Sequence, residues 1–240
     1  MKKLLFFIPF VCVLAAADVD IREYASPKLG KRVESIVWNV SYSYNARDTR
    51  SPRALLVGDS VCRGYHGLVR TALGSKVNIS YLATSNCITD PLFLPVLELM
   101  FAREKYDIVI FNNGLHSLST DRKMWKESFS KALDYIAKRL PGTVIVVLNS
   151  TPKRDGDKKV DEINALTAEV AKAKNLPLAD IHALCKDWNK KEWRDNYHFS
   201  KKAIKKQAEF VSSVILKHIK RTADGIVQAG SETGPDGKIK

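Results

Sequence analysis

From Ala54 onward, short apolar runs alternate with longer stretches in which apolar positions recur every three or four residues. The short runs read as strands and the longer period as amphipathic helices. The pattern predicts strands at 54–57, 76–82, 107–112, 143–149 and 176–180, with helices between them at about 62–73, 92–104, 122–140 and 158–174. A closing helix follows Ser200, a favoured N-cap type, and runs to about residue 221.

Regular alternation of strand and helix predicts a parallel sheet, because right-handed crossovers need a helix between parallel neighbours. The third and fourth runs (Ile108, Val109, Ile110, Phe111 and Val144 to Leu148) are continuously apolar, as strands covered on both faces are. The expected fold is α/β: a flavodoxin-like three-layer α/β/α sandwich with a five-stranded parallel sheet in the order 2-1-3-4-5. Such sheets bind ligands where the strand order reverses, here between the first and third predicted strands. The first runs into Gly58, Asp59 and Ser60, and the third into Asn112, Asn113, Gly114, Leu115 and His116. Ser60 would then stand at the carboxyl edge of the sheet and at a helix N-terminus, where unpaired N–H groups receive an anion. Taken alone, Asp59 and Ser60 also fit a plain helix cap.

The ends of the chain read differently. Lys2 and Lys3, the apolar run from Leu4 to Leu14 and the small residues Ala15 to Ala17 make a signal peptide over 1–17, too short to span a bilayer. Export to a secreted or periplasmic location is expected, with no stable membrane insertion after its removal. Residues 18–52 form a lead-in, with a helix-like piece around 28–38 and a polar loop at 44–52. The main domain occupies 53–222, and the Gly- and Pro-containing polar tail 223–240 is expected to be disordered.

With 240 residues, 45% of them hydrophobic and 27% charged, the chain can bury one good core. The net charge of +13 raises nucleic acid and anionic polymers as partners. The basic residues, such as Lys201, Lys202, Lys205 and Lys206, are spread along helical faces without aromatic interleaving, so a solvated basic surface is expected and nucleic acid is not. Export permits disulfides, and loss of Cys12 with the leader leaves Cys62, Cys87 and Cys185. Cys62 and Cys87 fall in loops beside the same sheet edge, and geometry decides whether they pair.

A serine hydroxyl becomes a nucleophile when a neutral imidazole accepts its proton and a third group orients the ring. Asp195 and His198, in one turn before the last helix, supply such a pair: an Asp three residues before a His can bond the ring nitrogen that faces away from Ser60. Read alone they also suit a polar loop beside a helix cap. In combination with Gly58, Asp59 and Ser60, the chain over about 54–216 resembles the SGNH (GDSL-type) hydrolases, and its Phe111-Asn112-Asn113-Gly114-Leu115-His116 stretch resembles a secreted bacterial esterase subgroup of them. The resemblance rests on the strand Ala54 to Val57 leading into Gly58-Asp59-Ser60, and on Asp195-Asn196-Tyr197-His198 before Phe199 and Ser200. It implies Ser60 as nucleophile, His198 as general base and acid, and Asp195 as its orienter.

The middle blocks depart from the family pattern. Where the family has a glycine whose N–H joins the oxyanion hole, this chain reads Thr84 to Pro91 without one, and a backbone N–H near Thr89 is the expected donor alongside that of Ser60. His116 takes the place of the family's oxyanion asparagine; Asn113 and Asn112 are alternative donors. Other motifs fall away. Cys62 stands where a Gly-x-Ser-x-Gly elbow needs its second glycine, His182 and Cys185 have no further ligands converging, and Asp155-Gly156-Asp157 is too short for a calcium loop. Neither metal nor cofactor is expected. The expected activity is hydrolysis of short-chain esters, acetyl above all, of a small molecule or carbohydrate. Its rivals are a lipid esterase or lysophospholipase, with Leu92, Phe93 and Leu94 as the candidate apolar groove, and a non-catalytic binder of anionic glycans.

Overall fold

A computed structural model describes residues 19–26, 35–222 and 225–226. The signal-peptide assignment, most of the helix-like piece at 28–38 and nearly all of the tail lie outside these residues. The chain forms β1 (Asn39–Ser43), β2 (Arg53–Gly58), α1 (Ser60–Leu73), β3 (Asn78–Thr84), α2 (Phe93–Phe101) and β4 (Ile108–Phe111). It continues through α3 (Arg122–Arg139), β5 (Val144–Leu148), α4 (Lys158–Ala173), β6 (Leu178–Ala179), α5 (Ile181–Cys185) and α6 (Lys201–His218). Just beyond α6, Arg221–Thr222 pairs antiparallel with Gly225–Ile226.

The main sheet has the order β1-β3-β2-β4-β5-β6. Its five parallel strands keep the predicted order, and a sixth, β1, lies antiparallel against β3 at the edge. By sequence alone this strand falls within the lead-in at 18–52. Its five residues (Asn-Val-Ser-Tyr-Ser) are half exposed and polar at alternate positions, so they lack the apolar run that marks the buried strands. β3 begins two residues later than predicted, because Lys76 still belongs to the turn that closes α1, where its N–H bonds the Leu73 carbonyl.

β2 is buried along its whole length between β3 and β4. One face of the sheet packs on α1 and α6 through Leu56, Ile79, Ile110, Val69, Val211 and Ile215. The other packs on α2, α3 and α4 through Leu55, Val109, Val147, Leu97, Phe129 and Ile163. The strand-to-helix turn at the end of β2 is tight: a Cβ on Gly58 would stand 2.7 Å from the Cβ of Cys62 in the first turn of α1. Glycine lets α1 start directly over the strand end, and Asp59 caps it by accepting from the Val61 N–H at 2.8 Å. Arg53, at the foot of the same strand and 3% exposed, donates to the carbonyls of Tyr44 and Asn45 and ties the loop after β1 to the sheet.

Candidate active site

Ser60 is the first residue of α1, carried to the carboxyl edge of the sheet by β2. Its hydroxyl lies 2.8 Å from Nε2 of His198, and His198 Nδ1 lies 2.8 Å from Oδ2 of Asp195. The turn that presents Asp195 and His198 is braced on several sides. His198 O accepts from the Arg194 N–H at 2.8 Å, and Asp195 Oδ1 accepts from the N–H groups of Tyr197 and His198. Phe199, 3% exposed, sits beneath the turn against Trp193 with ring centroids 4.2 Å apart, and Ser200 then caps α6. Asn196 joins the turn to the loop before α4 by accepting from the N–H groups of Arg154 and Asp155.

Burial pushes the Asp195 pKa up, but the N–H groups of Tyr197 and His198 and the His198 ring outweigh it, holding the carboxyl well below the usual carboxylate range. The carboxylate therefore stays charged and keeps Nδ1 of the ring as a donor, which leaves Nε2 as the acceptor facing Ser60. A cleft of about 370 Å³ opens beside these groups, lined by Ser60, Arg63, Gly64, Arg194, His198 and Phe199 among others. That volume suits a small ligand group or one end of a larger one.

The groups expected at an oxyanion hole have different surroundings. The Ser60 N–H, at the helix N-terminus, has no acceptor among the described residues; the same holds for the Thr89 N–H, although Thr89 is fully buried. Asn113 is engaged elsewhere: its Nδ2 donates to the Asn86 carbonyl, and its Oδ1 accepts from the Ile88 N–H and the Ser117 hydroxyl. It thereby staples the loop after β4 to the loop after β3. Asn112 likewise donates to Leu148 O. His116 is partly exposed and meets Trp38 edge-on, with ring centroids 6.0 Å apart. β1 and β4 are separated by β3 and β2, so this contact crosses the ends of those strands, where Ser60 emerges. Gly114 is required by packing, since a Cβ there would stand 2.0 Å from Ser150 Oγ.

Cys62, Cys87 and Cys185 are all free and buried; Cys62 lies in the first turn of α1 rather than in a loop, and it makes no bridge to Cys87 in the loop after β3. Burial pushes the thiols of Cys62 and Cys185 up to about 12. His182 faces Asp161 at 3.4 Å, and no group of metal-ligating side chains assembles among the described residues. Trp38 and Arg194 were not singled out from sequence. Trp38 reaches the edge only through the β1–β3 pairing, which no local pattern announces, whereas Arg194 adjoins the Asp195 motif.

No protein-family profile matches the sequence, and no curated protein matches it. Solved structures do match in fold. An acetyl xylan esterase, AlAXEase, superposes with a TM-score of 0.58 at 16% identity, over 68% of this chain and 99% of its own. A provisional SGNH hydrolase from Slackia heliotrinireducens gives 0.55 at 19% identity, over 69% of this chain and 100% of its own. A family two carbohydrate esterase from Clostridium thermocellum, solved with cellohexaose, gives 0.56 at 12% identity, over 68% of this chain and 63% of its own. Strand order and these likenesses together identify the fold as that of the SGNH (GDSL-type) hydrolases.

Proposed function

We propose that the protein is a serine esterase that removes short acyl groups, acetyl above all, from a carbohydrate. The observation that carries this reading is the unbroken hydrogen-bond chain from Ser60 through His198 to Asp195 at the wall of an open cleft. In this reading Ser60 Oγ attacks the ester carbonyl carbon while its proton passes to His198 Nε2. Asp195 stabilises the imidazolium that forms. The negative charge on the carbonyl oxygen is received by the N–H groups of Ser60 and Thr89, neither of which has another acceptor among the described residues, and by the ring N–H of His116. The carbon–oxygen bond to the sugar then breaks, and His198 returns the proton to the departing sugar oxygen. Water attacks the acyl-serine, His198 takes its proton and passes it to Ser60 Oγ, and the acid leaves. Asn113, although a candidate donor by sequence, is assigned the stapling of the two loops that carry Thr89 and His116.

The carbohydrate acceptor is supported by the names of the similar structures, an acetyl xylan esterase and a carbohydrate esterase solved with a glucan oligomer. The lipid reading loses its groove: of Leu92, Phe93 and Leu94, only Leu92 is exposed, and the other two are 1% and 5% exposed within the core. Export through the basic and apolar segment from Lys2 to Ala17 belongs to the same reading.

The test is hydrolysis of p-nitrophenyl acetate by the protein and by Ser60→Ala and His198→Ala. We expect turnover in the first and a fall of at least about a thousandfold in both variants. Equal rates in all three would sink the esterase reading in favour of a non-catalytic glycan binder.

A further inference from the structure

On the α1 side of the sheet a strip of aromatic rings begins at the catalytic edge and runs away from it. Trp38 stands at the edge, against His116. Alternation along β1 then brings Val40, Tyr42 and Tyr44 to the same face. Tyr42 leaves 55% of its surface in solvent while its ring packs on Tyr44 and Tyr81, with centroids 6.1 and 5.6 Å away. His66 of α1 lies flat on Tyr81 at 3.7 Å and shares a 3.1 Å hydrogen bond with the Tyr44 hydroxyl. These contacts hold the rings in a fixed array, so the exposed face of Tyr42 has no inward pocket to retreat into. An ordered, exposed aromatic face suits the flat apolar side of a sugar ring.

Charge runs beside the rings. Arg63 lies one turn beyond Ser60 and lines the catalytic cleft. Arg70 lies two turns further along the same face of α1, about 10 Å away along the axis, with its guanidinium 4.5 Å over the Tyr44 ring. Both are exposed. Arg122, Arg139, Arg154 and Arg194 each meet a carboxylate, whereas neither Arg63 nor Arg70 has one within ion-pair distance among the described residues. Burial lowers the pKa of His66, the Arg63 carbonyl opposes this, and the charges of Arg63 and Arg70 lower it further, so the ring between them adds no third cation. A neutral glycan would leave both guanidinium groups without an anion. A chain of sugar rings bearing anions would satisfy both rows at once, since the guanidinium fork matches carboxylate and sulfate oxygens.

We propose that Trp38, Tyr42 and Tyr44, with Arg63 and Arg70, form a subsite for an anionic polysaccharide bearing carboxylate or sulfate groups, whose acyl ester is thereby delivered to Ser60. The subsite rests on the carbohydrate-esterase reading for its purpose, but binding can be measured without catalysis.

The experiment has two arms, both on the full chain. In the first, kcat/KM is measured on partially acetylated polygalacturonate, on acetylated xylan and on p-nitrophenyl acetate, which needs only the ester site. The acidic polymer should be preferred over the neutral one, and high salt should erase the preference. Arg70→Gln and Tyr42→Ala should each lower the ratio of acidic-polymer to p-nitrophenyl acetate kcat/KM by about fivefold, through KM. Tyr42→Phe, which keeps the ring, should leave that ratio as it is. In the second arm, affinity electrophoresis of Ser60→Ala through unacetylated polygalacturonate, dextran sulfate, xylan and duplex DNA reads binding alone. Retardation by the acidic glycans that Arg70→Gln weakens supports the subsite, and the stronger of the two identifies the anion. Equal retardation by xylan, tighter retention by DNA, or ratios and mobilities unmoved by Arg70→Gln and Tyr42→Ala would overturn it. If p-nitrophenyl acetate is not cleaved at all, the esterase reading falls and the second arm alone decides the subsite.

Discussion

At the scale of single residues, Asp195 has the most constrained task, because one carboxylate accepts from two backbone N–H groups and from the His198 ring. Its pKa in the folded chain lies below the ordinary value. Any stability this contributes is therefore complete above the usual carboxylate pKa and lost as pH falls through the folded value. The side chain is 45% exposed, so water screens the effect, and the role proposed for it is orientation of His198 rather than stabilisation. Asp195→Asn is expected to leave the fold intact while lowering kcat on p-nitrophenyl acetate by about 10³ to 10⁴, read from steady-state kinetics beside a urea titration. His116 and Asn113 divide along the same line. His116→Ala should lower kcat by about a hundredfold or more with little change in KM. Asn113→Ala removes the staple between two loops and should lower the unfolding free energy by about 1 to 3 kcal/mol. If Asn113→Ala were as stable as the parent and His116→Ala retained full kcat, the two roles would be reversed.

At the scale of elements, the junction of β2 and α1 governs where Ser60 points. With 2.7 Å between a would-be Cβ on Gly58 and the Cβ of Cys62, Gly58→Ala must push the first turn of α1 off the strand end. The expected cost is about 1 to 3 kcal/mol, seen as a lower urea midpoint, together with reduced turnover as Ser60 leaves the reach of His198. The neighbouring elements differ in how legible they were. β2, β4 and β5 stand out because strands buried on both faces need continuous apolar runs, and α3, α4 and α6 because a helix covering a sheet repeats its apolar positions. β1 did not stand out: an edge strand with a solvated side carries only weak alternation, and its pairing with β3 is specified by residues some 40 positions away in sequence. Hence Trp38, which β1 delivers to the carboxyl edge of the parallel strands, had no local signal.

At the scale of the whole molecule, two cores share one sheet, with α1 and α6 on one face and α2, α3 and α4 on the other. Cys62 and Cys185 belong to the first of these and are 2% and 0% exposed. With thiols pushed up to about 12, they are neither ionised nor accessible near neutral pH. A thiol reagent at mildly alkaline pH is expected to modify them only at the rate of opening of that core, in step with urea-induced unfolding when followed by mass spectrometry of the peptides. Rapid modification in the native protein would mean that α1 or α6 detaches on its own. No helix among the described residues is long and apolar enough to cross a membrane.

The sequence by itself determined what depends on neighbours along the chain. Apolar period set the parallel strands and their helices, Gly58-Asp59-Ser60 marked the strand-to-helix turn, and the three-residue spacing of Asp195 and His198 was enough for one turn to join them. Only the tertiary structure decided what depends on separate segments meeting: Ser60 beside His198 across 138 positions, Asn113 engaged by the Asn86 and Ile88 backbone, β1 on the sheet edge, and Trp38 facing His116. The physical reason is that a local motif fixes a residue's conformation through bonds to its own chain. A side chain's free donors and its cleft are fixed by whichever distant groups packing brings against it.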